Sequence, residues 1–279
     1  SGNYSLVTGT DFEDGYINWD KCVFVEKLRF DQDKNIQLNI DNGLATLDFY
    51  HPKANSLPLS LLSDLKSTIL DLYNQNVKVL ILKSANEKVF CSGASFDELL
   101  ALKDLQQAIT FFSAFAELMN AMVSAPFIII TQLNGKAIGG GVGLVAASDY
   151  VIASNQAAIK LSEFKVGIGP FAIAPYLRNK MGMANFSHVT FNPSLFFDVQ
   201  SLEVRSLINH ITSTDLDNQT IEKAKELISY NFNALLEFKK LLWSNKEVLF
   251  TEALSNAKIS ASLVLEPIAQ SFLNDFKSK

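Results

Sequence analysis

The chain has 279 residues and a formal net charge of −5, a length that suits one large domain or slightly more. Hydrophobic residues make up 48% and charged residues 19% of the sequence, which is typical of a globular protein. The mild acidity and the lack of a basic run exclude a nucleic-acid-binding class, and the apolar runs fall well short of the about 20 residues that a membrane-spanning helix needs.

The predicted elements begin after an N-terminal extension of uncertain order, residues 1–35, which is polar and carries an acidic cluster. Residues 36–50 alternate apolar and polar around Asn42 and Gly43, which indicates a hairpin. Leucines at helical spacing then predict a helix within residues 57–76. The run VKVLILKS at residues 77–84 is typical of a strand that is buried on both faces.

The same cycle is repeated farther along the chain. A helix is predicted from about residue 96 to residue 122, followed by a buried strand at residues 127–133, and two short strands follow within residues 150–163. Strands that alternate with helices predict ββα or βαβ units and a largely parallel sheet, hence an α/β fold. Residues 216–279 have a helical pattern and are expected to form a separate layer that packs on the core or on another subunit.

The segment LNGKAIGGGVGLVAASDY, residues 133–150, contains five of the 13 glycines of the chain. Glycine in a helix is less favourable than alanine by about 1 kcal/mol, so this run is not filler. One interpretation is a dinucleotide fingerprint, G-x-G-x-x-A at residues 141–146, with Glu163 at about the spacing of a ribose-binding acid. The following helix holds only about two turns, however, and two short strands precede Glu163, which argues against this interpretation.

The alternative interpretation is an oxyanion site. A glycine-rich turn at the start of a helix directs backbone N–H groups to one point, where they stabilise an enolate or a tetrahedral oxyanion. A second donor is expected from the loop FCSGASF at residues 90–96, which also follows a buried strand.

These two loops, in VLILKSANEKVFCSGASFDEL and in QLNGKAIGGGVGLVAASDYVIASNQAAIKLSEFKVGIGP, resemble the crotonase (enoyl-CoA hydratase/isomerase) superfamily over roughly residues 36–211. Within it, ANSLP, GGGVGL and LSEFKVGIGP are most similar to bacterial methylglutaconyl-CoA hydratases of leucine degradation. The resemblance implies a ββα spiral core in residues 36–215 and a helical trimerisation region in residues 216–279. It also implies a homotrimer or homohexamer, an acyl-CoA thioester substrate that brings coenzyme A with it, and no tightly bound cofactor.

Matched to the family residue by residue, the chain assigns the two oxyanion donors to the backbone N–H groups of Ala94 and Gly140. Glu163 matches a family glutamate that moves protons at the acyl chain. The other expected substrate or CoA contacts are Lys53, Ala54, Ser92, Ser95, Phe96, Gly139, Gly143, Ser162 and Phe171. Of these, Ser95 is also expected to cap the helix that follows it, and Phe171 is expected to line the acyl pocket.

Gly143 departs from the family pattern, because typical hydratases carry a second glutamate there to hold the attacking water. A single glutamate is the pattern of several family isomerases, and it also occurs in sequences of the methylglutaconyl type. The expected reaction is hydration of the α,β double bond of a short or branched enoyl-CoA through an oxyanion-stabilised enolate. The alternatives are a Δ3,Δ2-enoyl-CoA isomerase that uses one glutamate and a non-catalytic acyl-CoA binder.

The two cysteines, Cys22 and Cys91, cannot form a disulfide framework, so a reducing cytoplasm is the expected location. The N-terminus lacks a basic region followed by an apolar one, so no signal peptide is predicted. Three histidines and two cysteines show no metal-ligand spacing, so no metal is expected. We expect Cys91 to be a small buried side chain rather than a nucleophile.

Overall fold

The computed structural model describes residues 12–13, 16–17 and 35–277. The contacts divide the chain into residues 1–31 and residues 32–279. In the first unit, β1 (Phe12–Glu13) and β2 (Tyr16–Ile17) pair in antiparallel orientation. Most of the predicted N-terminal extension, residues 1–35, lies outside the described residues.

The second unit alternates strands and helices up to residue 212 and is helical after it. Its strands are β3 (Ile36–Asp41), β4 (Leu44–Phe49), β5 (Ser56–Leu57), β6 (Val79–Ser84), β7 (Val89–Cys91), β8 (Gly93–Ala94), β9 (Ile128–Leu133), β10 (Lys136–Ile138), β11 (Tyr150–Ser154), β12 (Ala158–Lys160), β13 (Phe197–Asp198) and β14 (His210–Thr212). Its helices are α1 (Leu59–Asp71), α2 (Phe96–Ala101), α3 (Leu105–Ser124), α4 (Gly140–Ala146), α5 (Ala174–Phe191), α6 (Leu216–Ser229), α7 (Phe232–Leu242), α8 (Lys246–Val264) and α9 (Pro267–Lys277).

A six-stranded sheet with the order β14-β11-β9-β6-β4-β3 forms the centre of this unit. All its neighbours are parallel except the β3–β4 hairpin, which turns at Asn42 and Gly43 with positive φ angles of 47° and 84°. All six residues of β9 are buried, as expected of a central parallel strand covered on both faces. The predicted hairpin and the predicted largely parallel sheet are therefore confirmed.

This unit also contains two smaller sheets, and the loops of the candidate site follow their strands. One has the order β13-β12-β10-β7, in which β10 runs parallel to both β7 and β12. The other pairs β5 with β8 in parallel. Since the ends of β8, β10 and β12 lie close together, the residues that follow them meet at one edge.

One helix prediction is wrong in detail. The single helix predicted for residues 96–122 is two helices, because Leu102 is extended and Asp104 caps α3 by accepting a 2.8 Å hydrogen bond from the N–H of Gln107. The long helical segment near the C-terminus breaks before Pro267, which opens α9. Helix α5 was not predicted, and it contains a kink at Gly182, where φ is 75°.

The C-terminal helices share the hydrophobic core of the strands rather than standing apart. Helix α8 packs along α3, and Trp243, Leu249 and Ala253 are buried in the same cluster as the core of the sheet. Within the described part of the chain no single helix has the length and apolarity to cross a membrane, although the bent pair of residues 246–264 and 267–275 meets those criteria jointly.

Candidate active site

Two glycine-containing loops touch each other at the edge formed by β8 and β10. A Cβ atom on Gly93 would lie 2.7 Å from the carbonyl oxygen of Ile138 and 3.3 Å from the nitrogen of Gly140. Gly93 also has a positive φ of 87°, a conformation that glycine adopts without strain. Only glycine at this position lets the two backbones approach so closely.

This contact brings Ala94, the residue after Gly93, into the neighbourhood of Gly140. The N–H of Ser95 donates to the carbonyl of Leu57 at 3.2 Å, and successive N–H groups of a strand point in opposite directions, so that of Ala94 points away from β5. Gly140 is the first residue of α4, where an N–H has no acceptor within its own helix. Both residues line one cavity, as the predicted pair of oxyanion donors requires.

The cavity has a volume of about 60 Å³, enough for several water-sized groups. Apolar side chains and glycine backbone form most of its wall, and serine hydroxyls and one carboxyl group are its polar side chains. The lining residues are Ser92, Gly93, Ala94, Phe96, Leu99, Phe112, Phe115, Ile138, Gly139, Gly140, Ser162, Glu163, Val166, Ile168, Gly169, Pro170, Ala172, Ile173 and Ser260.

The carboxyl group in this wall belongs to Glu163, which opens a short 3-10 helix after β12. A Cβ atom on Gly139 would lie 2.9 Å from its Oε1, so the carboxyl group stands directly beside the α4 turn. Its Oε2 is buried and has no hydrogen-bond partner among the described residues. Burial raises the pKa of Glu163 to about 7, although the backbone N–H groups of Glu163 and Ser162 act in the opposite direction.

A carboxyl group with a pKa near 7 can both take and return a proton at neutral pH, which is the property of a general acid–base. Glu163 is the one titratable side chain in the cavity wall as described. The cavity wall therefore brings together the two residues predicted to supply oxyanion donors, Ala94 and Gly140, and one carboxyl group in an apolar setting, where electrostatic interactions are strong.

Gly143 is buried within α4 and does not belong to the cavity wall as described. A Cβ atom there would lie 2.7 Å from Cγ2 of Ile173 and 3.0 Å from Sδ of Met119. The position at which family hydratases carry a second glutamate is therefore closed by two apolar side chains. A carboxylate and a water held by it have no room unless these side chains move.

The other predicted site residues divide into two groups. Ser92, Phe96, Gly139 and Ser162 line the cavity, together with Ala94, Gly140 and Glu163. Lys53, Ala54, Ser95, Gly143 and Phe171 do not belong to its wall as described.

Two residues of the second group have evident structural roles. The hydroxyl of Ser95 accepts a 3.5 Å hydrogen bond from the N–H of Glu98 and caps α2, as predicted. The ring of Phe171 packs over Gly169, whose added Cβ would lie 2.5 Å from Cε2 of that ring. Cys91 is fully buried, and burial raises the pKa of its thiol to about 12, which agrees with the prediction that it is no nucleophile.

The loop that carries the predicted CoA contacts is exposed. Lys53 forms an ion pair with Asp97 at the start of α2, and Ala54 has a positive φ of 49°. The next residue, Asn55, also has a positive φ, 52°, but it is buried.

Asn55 fixes this loop to the strands beside it. Its Nδ2 donates to the carbonyl oxygens of Phe49 and Phe90, both at 3.2 Å, and to the Oγ of Ser84 at 2.6 Å. Its Oδ1 accepts a 2.6 Å hydrogen bond from the N–H of His51. The sequence interpretation missed Asn55, although asparagine is enriched at positions with positive φ, which was the available signal.

Replacement of Asn55 by alanine is expected to lower the free energy of unfolding by roughly 2–4 kcal/mol, because several buried polar partners lose their hydrogen bonds. Urea denaturation measures the change. Asn42→Ala is the matched control, since Asn42 also has a positive φ but is exposed in the hairpin turn. Equal losses in the two variants would show that backbone strain, and not the buried amide, accounts for the effect.

Several cavity residues come from parts of the chain that sequence reasoning did not connect to the site. Phe112 and Phe115 reach the cavity from α3, and Ile173 precedes α5. Ser260 lies on α8, is 1% exposed and donates a 3.4 Å hydrogen bond to the carbonyl of Gly169. The C-terminal region of the same chain thus contributes to the cavity wall.

No group of three or more histidine, cysteine, aspartate or glutamate side chains that could hold a metal ion is present in the described part of the chain. The prediction that no metal takes part is not tested by that finding.

Comparison with known proteins identifies the class. Residues 39–264 match the Enoyl-CoA hydratase/isomerase family, so the chain belongs to that family. It is 30% identical to a probable enoyl-CoA hydratase of Bacillus subtilis over 76% of this chain and 83% of that protein. Enzymes of this family act on CoA thioesters.

Two further similarities, one in sequence and one in fold, involve proteins named as a dehydratase and as an isomerase. The chain is 26% identical to the bacillaene synthase dehydratase PksH of Bacillus subtilis over 56% of its own length, and it spans 61% of that relative. The human mitochondrial Δ3-Δ2-enoyl-CoA isomerase superposes with a TM-score of 0.78 over 88% of this chain and 97% of that one, at 21% identity. At that identity the likeness shows the fold, and it confirms the predicted crotonase-like architecture.

Proposed function

We propose that the protein hydrates the α,β double bond of a short or branched enoyl-CoA through a thioester enolate, with Glu163 as its proton-transfer group. The observation that carries this proposal is the position of the Glu163 carboxyl group, buried beside the turn that presents the N–H of Gly140. The likeness to a probable enoyl-CoA hydratase over most of both chains supports hydration as the reaction.

The N–H groups of Ala94 and Gly140 bind the thioester oxygen in this proposal. Conjugate addition moves negative charge onto that oxygen, so donors fixed at this point stabilise the transition state more than the substrate. Gly139 keeps the path to the oxygen open, because a side chain there would meet Glu163.

One carboxylate is sufficient for the proton transfers of hydration. Glu163 in its ionised form takes a proton from water while the water oxygen bonds to Cβ, and the electron pair of the double bond moves to the thioester oxygen. The enolate then collapses, and the protonated Glu163 returns the proton to Cα. The product is a 3-hydroxyacyl-CoA, and Glu163 is again ionised.

The second candidate is Δ3,Δ2 isomerisation, and the packing around Gly143 favours it. Glu163 removes a proton from C2 of a 3-enoyl-CoA, the dienolate is held by the same two N–H groups, and the proton returns to C4. No water takes part, so the absence of a second carboxylate is no disadvantage. Hydration of crotonyl-CoA and conversion of but-3-enoyl-CoA to the 2-enoyl isomer, measured with the same protein preparation, decide between the two reactions.

Variants at Gly143 test directly whether the missing carboxylate at this position decides between hydration and isomerisation. Gly143→Glu alone is expected to lower the free energy of unfolding by about 2 kcal/mol or more, because Ile173 and Met119 fill the space. Gly143→Glu combined with Ile173→Ala removes the closer of the two contacts and leaves the flexible side chain of Met119 to move aside. This double variant is expected to raise the ratio of hydration to isomerisation at least about tenfold, because a positioned acid–base group typically contributes more than that. Ile173→Ala is the control. A folded double variant with an unchanged ratio would contradict this explanation.

For the acyl group we propose a short or branched chain of the methylglutaconyl type, on the strength of the sequence motifs and the small apolar cavity. The cavity wall as described contains no lysine or arginine, so the distal carboxylate of a methylglutaconyl group would lie toward the cavity mouth. Comparing kcat/KM for methylglutaconyl-CoA and for a neutral branched enoyl-CoA tests this assignment.

Lys53 and Ala54 are proposed to contact the CoA portion of the substrate, and Ser92, Phe96 and Ser162 the acyl and thioester portions. A non-catalytic acyl-CoA binder is the remaining alternative, and it would bind acyl-CoA with no turnover of either enoyl substrate. A role in leucine degradation and a cytoplasmic location stay predictions.

A homotrimer or homohexamer is proposed on the family resemblance and on the number of large apolar side chains at the surface. Phe191 is 73% exposed and Leu202 is 85% exposed in the single chain, so both are candidates for a contact between subunits. Light scattering coupled to gel filtration gives the oligomeric state.

A further inference from the structure

A buried polar cluster lies at the far end of α4 from Gly140. We call it the Asp149 cluster, and it consists of Asp149, Lys239 and Trp243. The Nζ of Lys239 donates to Oδ2 of Asp149 at 2.7 Å, and Nε1 of Trp243 donates to Oδ1 at 2.7 Å. The side chains of Asp149 and Lys239 are each 4% exposed.

The hydrogen bonds of this cluster are complete. Oδ2 of Asp149 also accepts a 2.8 Å bond from the N–H of Ile129 in β9. Lys239 uses its other two protons on the carbonyl oxygens of Met122 and Phe127, at 3.1 and 2.7 Å. A buried ion pair with every donor and acceptor satisfied has one defined geometry, and such networks fix the elements that carry them.

The elements joined in this way are the helical tail and the segment that follows α4. Lys239 lies on α7 and Trp243 directly follows it, whereas Asp149 lies three residues after the last residue of α4. Neighbouring bonds hold the same segment: the hydroxyl of Ser148 bonds to that of Thr131 at 2.6 Å and donates to the carbonyl of Leu144 in α4 at 2.9 Å.

We propose that the Asp149 cluster is a positioning device through which the helical tail holds α4, and with it the N–H of Gly140, in place for catalysis. Helix α4 has seven residues and is therefore only about 10 Å long, so an end fixed in the core fixes the other end. The proposal rests on the proposed function to the extent that Gly140 is the oxyanion donor. Displacement of a catalytic group by about 1 Å can lower a rate about 100-fold.

A double variant distinguishes a positioning role of the Asp149 cluster from the destabilisation that a buried, unpaired charge causes. Lys239→Met alone leaves the Asp149 carboxylate buried without its counter-ion and is expected to destabilise the protein. Asp149→Asn with Lys239→Met removes both charges and nearly keeps the shape of the site, so its melting temperature is expected to recover in part; the carbonyls of Met122 and Phe127 still lack their donor. The proposal predicts that kcat nevertheless remains at least about tenfold below that of the wild type, with KM changed less than twofold.

Hydrogen–deuterium exchange gives a readout that needs no turnover. The double variant is expected to exchange the amides of residues 140–146 faster than the wild type, with α1 unchanged. Arg178→Met is the matched control, because it removes the 2.7 Å ion pair with Glu252 that joins α8 to α5 without touching the Asp149 cluster, and it should leave kcat and α4 exchange as they are. Trp243→Phe, which keeps the ion pair, is a milder variant for use if the double variant does not fold.

Faster α4 exchange together with a lower kcat in the folded double variant supports the proposal. Wild-type kcat, or wild-type exchange of residues 140–146, in that variant would overturn it. If the wild-type protein converts no enoyl-CoA, the proposed function fails, and the exchange measurement alone then decides whether the cluster positions α4.

Discussion

Replacement of Glu163 by glutamine is expected to lower kcat/KM about 10²- to 10⁴-fold, the usual contribution of a general acid–base group, with little change in KM. Glutamine has nearly the same shape and fills the same buried place, but it cannot take a proton from water or from C2. Steady-state assays of hydration and of isomerisation measure the loss. Since Glu163 is the one titratable group in the described cavity wall, both activities should fall together.

The same variant has a second consequence, for stability. Burial raises the pKa of Glu163 in the folded protein from 4.5 to about 7, so the unfolded chain releases the proton at a lower pH than the folded one. Ionisation therefore favours the unfolded state as pH rises from 4.5 to 7. Glu163→Gln should melt at a higher temperature than the wild type at pH 8, and the difference should disappear near pH 4.5.

The wild-type pH profile follows from the same pKa. The ionised form of Glu163 starts either reaction, so kcat/KM should rise with pH and level off above about 7. Glu163→Asp, which keeps the charge but draws it back from the substrate, is the control and should retain part of the activity. A Glu163→Gln variant with kcat/KM within fivefold of the wild type would contradict the assignment of Glu163.

Gly139→Ala is expected to lower kcat at least about 100-fold, an effect of the size seen when an oxyanion donor is lost. Gly139 has φ 53° and ψ −121°, a conformation in which an L-residue is strained. The added Cβ would also lie 2.9 Å from Oε1 of Glu163. The backbone strain and the contact with Glu163 can be relieved only if the turn before Gly140 changes. That change displaces the N–H of Gly140 and the carboxyl group of Glu163 together.

Gly182→Ala is the matched control for that variant. Gly182 also has a positive φ, 75°, but an added Cβ there meets nothing within 4 Å. It should lose stability through the backbone alone and keep its kcat. If Gly139→Ala and Gly182→Ala lose stability equally and both keep full kcat, Gly139 has no part in the arrangement of the site.

Most of the features that could be predicted from the sequence depend on patterns of a few neighbouring residues. The Asn42-Gly43 turn, the apolar run that became β6 and the glycine run before α4 each specify their structure within a few residues. The two loops expected to carry the oxyanion donors, and Glu163, could be predicted because family motifs are local as well. The break between α2 and α3 also had a local signal in Asp104 and Gln107, which the apolar periodicity around it concealed.

Features that depend on distant parts of the chain were beyond that reasoning. Nothing in the neighbourhood of Gly143 indicates that Met119 and Ile173 fill the space beside it. Ser260 reaches the cavity from α8. Asp149 and Lys239 are 90 residues apart, and only the fold shows that each is the counter-ion of the other.

Deuterium incorporation at Cα tests the central claim most directly, because both proposed reactions pass through a thioester enolate whose proton Glu163 carries. But-3-enoyl-CoA and 3-hydroxybutyryl-CoA are incubated in D2O with the wild type and with Glu163→Gln, and the Cα signals are followed by NMR. We expect the wild type either to exchange the Cα protons of 3-hydroxybutyryl-CoA or to convert but-3-enoyl-CoA to its 2-enoyl isomer, and Glu163→Gln to do neither at a comparable rate. A wild type that does neither, or equal rates in the two proteins, would contradict the account.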